Sequence, residues 1–429
     1  KGQAASRSAA NADRRIGPWY KIRRFSGSGG LTLIYSGSTG SLPVSRMQGH
    51  DVIVIGGGVV GAACAYSLAA SGFKVLLLEQ ADIPNPRASS ADHAALFRLT
   101  FGGDSFYSSL AAKTLPLWRR FEAELHEELL LQTGMLDLAT GEGRYEESCL
   151  KTLGELGLRV ERWSSADTCA RFRMFRRSAF RFAVFHPDGG LVWSQRAISA
   201  FTRHALRRRA RVESDVRIAG LLKDKDGIAG VKDSKGRVWK AKEYVFTAGP
   251  WTRELLKEFG LPLSITLQHN LYLRPPRNQG RYRPGHFPVF SATGKGFYAF
   301  PVHIHGFMKV GFHTPGPVCS QVSSEPATDA RHAKKCRSFL ERLVPDLQGF
   351  SELEDRVCHT TRTPDGDFIL DRLEGAPNAI VAAGLAGRGP MFAPLLAQTI
   401  TALLRREKPE INLQRFRVDR LKSKKRAKA

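Results

Sequence analysis

A glycine-rich loop stands between two apolar stretches near the start of the chain. Val52–Ile55 run directly into Gly56, Gly58 and Gly61, which have the spacing G-x-G-x-x-G. In a dinucleotide-binding domain the first glycine permits a tight turn and the second lets the backbone approach a pyrophosphate. The third lets the following helix pack close to the sheet. The loop therefore predicts a parallel α/β domain with phosphates at a helix N-terminus.

The segment after the loop limits the choice of dinucleotide. Its pattern predicts a helix over Val60–Ala70 and a second strand over Lys74–Leu78, followed by Glu79. A carboxylate at this strand end is placed to accept hydrogen bonds from ribose hydroxyls, and it disfavours a 2′-phosphate. The predicted ligand is therefore FAD or NAD and not NADP.

The rest of the chain departs from simple alternation of strands and helices. Residues 82–118 predict a polar loop and then a helix, and residues 236–256 predict a strand, a turn and a helix. Far along the chain, Ile380–Ala383 lead into a second glycine-rich turn with Gly384, Gly387 and Gly389. A second loop of this kind would close a flavin site from both ends of the chain, which favours FAD.

Composition restricts the class of protein further. The 429 residues hold no apolar stretch of the length that a membrane helix needs, so we expect no membrane span. The six cysteines are scattered, with no C-x-x-C pair, which predicts neither a metal site nor a disulfide framework and favours a reducing compartment. The formal charge of +25 is concentrated at the two ends of the chain.

The two ends of the chain are predicted to lie outside the folded domains. Residues 1–47 are rich in Arg, Ser and Gly and hold one acid, which is typical of an organelle transit segment; the alternative is that Met47 is the true start. We expect an organelle, with the mitochondrial matrix favoured over the plastid and with peroxisome or cytoplasm left open. Residues 416–429 are assigned as a basic tail. Its last part, Arg420–Ala429, is expected to be a solvated, disordered end, with contact to nucleic acid or an acidic surface as the alternative.

One stretch near the C-terminus carries a family resemblance. Residues 358–371 read CHTTRTPDGDFILD, with Cys358 before a Thr-rich turn. Together with both glycine loops, this stretch resembles the amine-oxidising flavoproteins of the D-amino-acid oxidase superfamily. The chain is most similar to the sarcosine, N-methyltryptophan and pipecolate oxidase group, over residues 51–404. In that group the matching cysteine is bonded to the flavin, so the resemblance implies covalent FAD on Cys358. The alternative is a buried structural cysteine.

The resemblance also implies the chemistry of the site. These enzymes transfer a hydride from the carbon beside an amine to the flavin, which gives an imine, and oxygen is then reduced to hydrogen peroxide. Lys309 matches the lysine that promotes the oxygen reaction, His313 matches a site histidine, and Arg98 matches the arginine that binds a substrate carboxylate. A surface lysine is the alternative for Lys309.

Two sets of site residues follow. The predicted cofactor-binding residues are Gly56, Gly58, Gly61, Glu79, Val216, Cys358, Gly384, Gly387, Arg388 and Gly389. The predicted catalytic and substrate residues are Lys309, His313, Arg98, Tyr298 and Met391.

The substrate positions depart from the family pattern more than the cofactor positions do. Met391 stands where the group has the lysine that binds the substrate carboxylate together with the arginine. Ala95 stands where the group has an arginine near the flavin, and Thr360 stands where it has an aromatic residue. We therefore expect an amine that is larger or more apolar than sarcosine. The alternative is a weakly active or inactive flavoprotein that serves as a structural or assembly subunit of a larger organellar complex, reached through the basic ends. A dehydrogenase with another electron acceptor is a third possibility.

The predicted architecture is α/β, with a Rossmann-like FAD domain interleaved with an α+β substrate domain built on an antiparallel sheet. The FAD domain is assigned to residues 48–129, 190–261 and 358–415, and the substrate domain to residues 130–189 and 262–357. The predicted function is FAD-dependent oxidation of a secondary or primary amine, or of an N-substituted amino acid. Its predicted partners are a small amine and O2.

Overall fold

The computed structural model describes residues 49–275, 280–303, 305–323, 326 and 329–421. Strands and helices are numbered in chain order, β1–β21 and α1–α8. The predicted extension over residues 1–47 and the residues after Leu421 lie outside these ranges. Within them, no helix combines the length and the apolar character that crossing a membrane requires.

A six-stranded sheet, the parallel sheet, carries the glycine-rich loop. Its strands in order are β20 (Ile369–Leu373), β21 (Ala376–Ala383), β13 (Ala241–Phe246), β1 (His50–Ile55), β2 (Val75–Leu78) and β9 (Arg211–Glu213). All neighbours are parallel except the pair β20 and β21. Strand β2 is buried along its whole length, as expected for a sheet covered on both faces.

Different elements cover the two faces of the parallel sheet. One face packs under α1 (Val59–Ala70), α2 (Ser105–Leu125), α5 (Ser194–Arg207) and α8 (Gly389–Leu404). The other face packs under α6 (Thr252–Leu255) and a small sheet of β10 (Ile218–Asp224), β11 (Gly227–Asp233) and β12 (Val238–Trp239). Small residues in α1 let the helices approach closely, and Asp104 caps α2 by accepting from the backbone N–H of Tyr107.

A larger sheet, the antiparallel sheet, forms the second half of the molecule. Its order is β18 (Val318–Cys319), β14 (Ser264–Arg274), β17 (Met308–Phe312), β16 (Phe297–Ala299), β15 (Val289–Ala292), β5 (Met135–Leu138), β7 (Phe182–His186) and β6 (Glu161–Ser164). Strand β19 (Ser351–Arg362) also pairs with β14. Only β15 and β5 run parallel among these pairs of described strands.

One face of the antiparallel sheet packs against α7 (Ala330–Leu343) and the chain around Phe175. Met308 and Val310 of β17 point to this face. Because side chains alternate along a strand, Lys309 points to the opposite face, called the inner face here. The same alternation puts Tyr298 and Ser291 on the inner face.

The remaining elements connect the two large sheets. A three-stranded sheet is formed by β3 (Ala95–Phe97), β8 (Gly190–Val192) and β4 (Leu130–Gln132). Two further helices are α3 (Arg144–Glu155) and α4 (Ser165–Arg171). A capping box starts α4, in which the side chains and backbones of Ser164 and Asp167 bond reciprocally.

The predicted fold class is confirmed: an α/β dinucleotide-type domain is interleaved with a part built on an antiparallel sheet. The parallel sheet takes its strands from residues 50–78, 211–246 and 369–383. The exact domain boundaries stay a prediction, and β19 runs across the one placed at residue 358.

The chain stays packed beyond α8. The ring of Phe416 is buried and stacks on Phe368, with centroids 3.9 Å apart. Arg415 pairs with Asp104 at 2.6 Å and with Asp367 at 2.7 Å. The described start of the segment predicted as a basic tail, residues 416–421, is therefore part of the fold.

Candidate active site

The loop between β1 and α1 needs its glycines for steric reasons. Gly56 has φ = +104°, and a Cβ there would lie 2.6 Å from the carbonyl oxygen of Thr247. A Cβ on Gly61 would lie 1.8 Å from the carbonyl oxygen of Gly56, so α1 packs directly on the loop. Gly58 is the N-cap of α1, whose first turn holds no acidic side chain. This helix end suits a phosphate, because backbone N–H groups and the helix dipole both favour an anion.

The carboxylate of Glu79 is buried at the end of β2 and held by hydrogen bonds. It accepts from the backbone N–H of Gly57 at 2.6 Å and from Nδ2 of Asn85 at 2.9 Å. Burial raises the pKa of Glu79, whereas these hydrogen bonds act to lower it. Two of its neighbours thus fix the orientation in which it could accept from a ribose.

A cavity of about 400 Å³ opens at the carboxyl ends of β1, β2, β13 and β21, where ligands bind in folds of this type. Most of the predicted cofactor residues line it, namely Gly56, Gly58, Glu79, Val216, Gly384, Gly387 and Gly389. Gly61, Cys358 and Arg388 are not lining residues. Three residues that were not predicted from the sequence also line the cavity, namely Asn85, Ser90 and Trp251.

The second glycine loop closes the cavity from the other side. Gly384 has φ = +72° and donates its N–H to the hydroxyl of Thr361 at 3.3 Å. Ala386 donates its N–H to the carbonyl of Thr361 at 3.0 Å. The end of β19 therefore lies against this loop, and Thr360 and Thr361 complete the cavity wall.

Arg388 contacts the turn after β19. Its guanidinium donates to the carbonyls of Gly366 and Leu385, and it lies over the ring of Tyr107 at 4.6 Å. The side chain thus ties the second glycine loop to the Thr-Pro-Asp-Gly turn.

Cys358 lies on β19, two residues before Thr360 and on the same face of the strand. Its Sγ is 3.9 Å from Nδ2 of Asn270 on the paired strand β14. Burial raises the pKa of the thiol to about 11; Asp92 acts in the same direction, and the positive charge of Lys309 acts against it. The predicted attachment cysteine is therefore adjacent to the cavity wall.

Lys309 is buried, with 6% of its surface exposed, and forms an ion pair. Its Nζ lies 2.6 Å from Oδ2 of Asp92 and donates to the carbonyl of Ala94 at 3.0 Å. Tyr272 donates its hydroxyl hydrogen to the same carboxylate. Burial, the largest single influence, acts to lower the pKa of Lys309, but the charge and hydrogen bond of Asp92 together with Tyr298 and Cys358 outweigh it, so this pKa lies above the ordinary value. Lys309 is thus not a surface lysine.

Tyr298 and His313 lie beside Lys309 on the inner face. The ammonium of Lys309 is 5.5 Å from the ring centre of Tyr298, and the rings of Tyr298 and His313 are 4.9 Å apart. Nε2 of His313 is 2.9 Å from the hydroxyl of Ser291. Burial, helped by the charge of Arg98, holds the pKa of His313 well below its usual value, so this imidazole is neutral.

Arg98 and Met391 are brought together. The backbone N–H of Arg98 donates to Sδ of Met391 at 3.5 Å, and Nη1 of Arg98 donates to the carbonyl of Thr100 and to the hydroxyl of Tyr145. In the described part of the chain, only Nη1 of this guanidinium is hydrogen-bonded. Met391 is buried and belongs to the core beneath α8. Arg98 therefore has donors left for a ligand.

A buried acid and histidine were not identified from the sequence. The side chains of Asp137 and His186 are fully buried, with Oδ2 of Asp137 3.9 Å from Nε2 of His186, and neither side chain forms a hydrogen bond within the described part of the chain. Burial raises the pKa of Asp137 to about 7, with Arg98 acting to lower it, and burial lowers that of His186 to about 3. The sequence did offer one indication of this pair, since Asp137 is a charged residue inside the apolar stretch Met135–Leu138.

A family model described as FAD dependent oxidoreductase, DAO, matches residues 51–403. The chain belongs to this family. Its cofactor is therefore FAD, and the predicted family resemblance is confirmed. The geometry fits this cofactor, since Gly56, Gly58 and Glu79 line one cavity at the N-terminal end of α1.

Curated members of the DAO family align with nearly the whole chain. Peroxisomal sarcosine oxidase of Homo sapiens is 29% identical over 392 residues, covering 87% of this chain and 96% of that protein. N-methyl-L-tryptophan oxidase of Salmonella arizonae is 27% identical over 377 residues, covering 86% of this chain and 99% of that protein. The chain is thus similar to enzymes that are named as oxidases.

Solved structures have the same fold. L-proline dehydrogenase from P. horikoshii superposes with a TM-score of 0.79 at 19% identity, over 88% of this chain and 98% of that one. Glycine oxidase from Geobacillus kaustophilus superposes with a TM-score of 0.75 at 21% identity, over 86% of this chain and 98% of that one. At these identities the likeness concerns the DAO fold alone.

Replacing Glu79 by glutamine should weaken FAD binding about tenfold to hundredfold, because a charged hydrogen bond of about 1.5–3 kcal/mol is lost. The side-chain nitrogen of the new glutamine would also face the N–H of Gly57 or Nδ2 of Asn85. Both of these groups are donors, so no hydrogen bond can form there. FAD titration of apoprotein that also carries Cys358→Ala measures the affinity without covalent attachment. Glu155→Gln, at an exposed position of α3, is the control and should bind like the parent. Equal affinity of both variants would contradict the role of Glu79.

Proposed function

We propose that this protein oxidises a secondary or primary amine, or an N-substituted amino acid, to an imine, with O2 as the electron acceptor and H2O2 as the second product. The observation that carries the proposal is the position of Lys309. Its buried ammonium lies on the inner face with Tyr298 and is close enough to Cys358 to influence that thiol's pKa. A fixed cation in a water-excluded site stabilises the charge that develops on oxygen.

The protein's own groups would bind and orient the amine. FAD, when bound, supplies the hydride acceptor. Arg98 offers the unbonded part of its guanidinium to a carboxylate, which guanidinium recognises in a bidentate manner. Neutral His313 and Tyr298 offer hydrogen bonds without adding a second positive charge. Arg98, Tyr298 and His313 are half-buried, and the lower dielectric around partly buried groups strengthens each interaction.

We infer that the substrate is bulkier or more apolar than sarcosine. Thr360 and Ala95 leave room where the family group has larger side chains, and Met391 brings no charge where that group has a lysine. The names of the relatives, sarcosine oxidase and N-methyltryptophan oxidase, support N-methyl amino acids as the first class to examine. Cyclic amino acids such as pipecolate and proline belong to the same chemical class, because each has a secondary amine beside a carboxylate.

We also propose that FAD is attached through Cys358. The thiol is on the face of β19 that continues to Thr360 in the cavity wall. Burial and Asp92 raise the pKa of this thiol, and the positive charge of Lys309 acts against them, toward the thiolate that forms the bond. Attachment would replace a C–H bond of the flavin by the C–S bond, and the two electrons released would pass to the flavin and from it to O2.

The test is anaerobic mixing of the holoenzyme with sarcosine, N-methyl amino acids, pipecolate and proline, followed by a peroxide assay in air. We expect at least one amine to reduce the flavin and to yield peroxide. In Arg98→Met, KM for a carboxylated amine should rise about tenfold to hundredfold. An amine without a carboxylate is the matched control and should show no such change. If dithionite reduces the flavin but no amine does, the structural or assembly role becomes the better interpretation.

A further inference from the structure

The ion pair between Asp92 and Lys309 is the best-defined polar contact on the inner face. Both side chains are nine-tenths buried or more, and the ammonium and the carboxylate are 2.6 Å apart. Tyr272 adds a hydrogen bond to the other carboxylate oxygen. If either partner moved away, the other charge would remain buried without a counter-charge, which is costly in free energy.

This pair changes the charge that the site presents. A lone ammonium would act as a full positive charge in a low-dielectric region, whereas an ammonium paired at 2.6 Å acts mainly as a dipole. Ala95, three residues after Asp92, brings no positive charge to the same segment. The net charge near Lys309 is thus lower than the lysine alone would give.

We propose that Asp92 is a positioning residue that sets the rate at which oxygen oxidises the reduced cofactor, by holding and neutralising Lys309. This inference rests on the proposed role of Lys309. In the overall reaction O2 gains two electrons and two protons and leaves as H2O2. The first electron makes superoxide, an anion, and an uncompensated cation stabilises it more than a paired one does.

The effect of removing Asp92 depends on pH. Without the carboxylate, burial lowers the pKa of Lys309, so the lysine is charged and uncompensated at low pH and neutral at high pH. The other titratable or charged groups that influence this pair are Tyr298 on β16, Tyr272 on β14, Cys358 and Arg356 on β19, and His93 next to Asp92.

The experiment uses holoenzyme reduced by light, so that no amine is needed, and mixes it with oxygenated buffer across a range of pH. At low pH Asp92→Asn should react with oxygen about tenfold faster than the wild type, and the gain should fade as pH rises. In a Lys309→Met background the same substitution should change the rate by less than about twofold, because a buried Asp92 without its cation takes up a proton and is already neutral. The midpoint potential of bound FAD should become more positive in Asp92→Asn, because a negative charge is removed.

Three further variants keep the test decisive. Asp92→Glu keeps the charge and should leave the rate within about twofold of the wild type, which separates charge from packing. In Lys309→Arg the cation does not titrate, so Asp92→Asn should there accelerate the reaction at every pH. Asp226→Asn, on an exposed turn, is the control. Equal effects of Asp92→Asn with and without Lys309, or no effect on rate and potential, would overturn the proposal. Because photoreduction replaces the amine, that result is distinct from failure to oxidise amines.

Discussion

Replacing Gly61 by alanine should abolish FAD retention and destabilise the fold by about 3 kcal/mol. The added methyl group overpacks the site, and no flexible side chain nearby can move aside to make room for it. The new Cβ would lie 1.8 Å from the carbonyl oxygen of Gly56 and 2.6 Å from the hydroxyl of Thr247. The first of these is a backbone atom, so α1 must move away from the loop. That movement displaces the helix end at which we expect the pyrophosphate.

Thermal unfolding and the flavin absorbance of the purified protein measure the two effects. Gly154→Ala is the matched control, since no atom lies within 4 Å of a Cβ at that position in α3. This control should not lose stability, because alanine favours a helix more than glycine does. A stable Gly61→Ala protein with full flavin content would show that the close approach of α1 is not required.

Cys358→Ala should release all of its FAD on denaturation, because the proposed attachment runs through the sulfur of Cys358. The loop glycines, Glu79 and the cavity wall do not depend on the sulfur, so the folded variant should still bind FAD without a covalent bond. Mass spectrometry of the peptide that contains residue 358 distinguishes the two states. In the wild type the flavin mass should stay on this peptide.

Cys319→Ala is the control for the loss of a thiol. Cys319 is a partly exposed cysteine on β18, and β18 pairs with the same strand, β14, that pairs with β19. This variant should keep the flavin attached. Release of all flavin from denatured wild-type protein would refute attachment through Cys358 and leave the FAD-binding fold in place.

Local sequence signals were sufficient for the dinucleotide-binding part. Strand, loop, helix and acid follow one another within residues 50–79, so their contacts are set by neighbours in the chain. The predicted helix and second strand differ from α1 and β2 by one residue each at their starts. The second glycine loop was identified for the same reason.

The Asp92–Lys309 pair could not be predicted, because its two residues are far apart in the chain. Asp92 lies in a polar loop without periodicity, and Lys309 lies in a short strand of the antiparallel sheet. Only the packing of that sheet against the segment before β3 brings them together. The packing of Phe416 on Phe368 was missed for a similar reason, since the two residues lie in separate segments and Phe416 was assigned to the basic tail.

Strand β19 limits how the molecule can move. It pairs with β14 in the antiparallel sheet from Ser351 to Arg362, and at Arg362 it bridges to Leu385 in the second glycine loop. Rotation of the antiparallel sheet as a rigid body away from the parallel sheet would therefore pull on the loop that closes the FAD cavity. Hinge opening between the two sheets would thus disturb the wall of the FAD cavity, and access for the proposed amine without that disturbance requires movement of other segments.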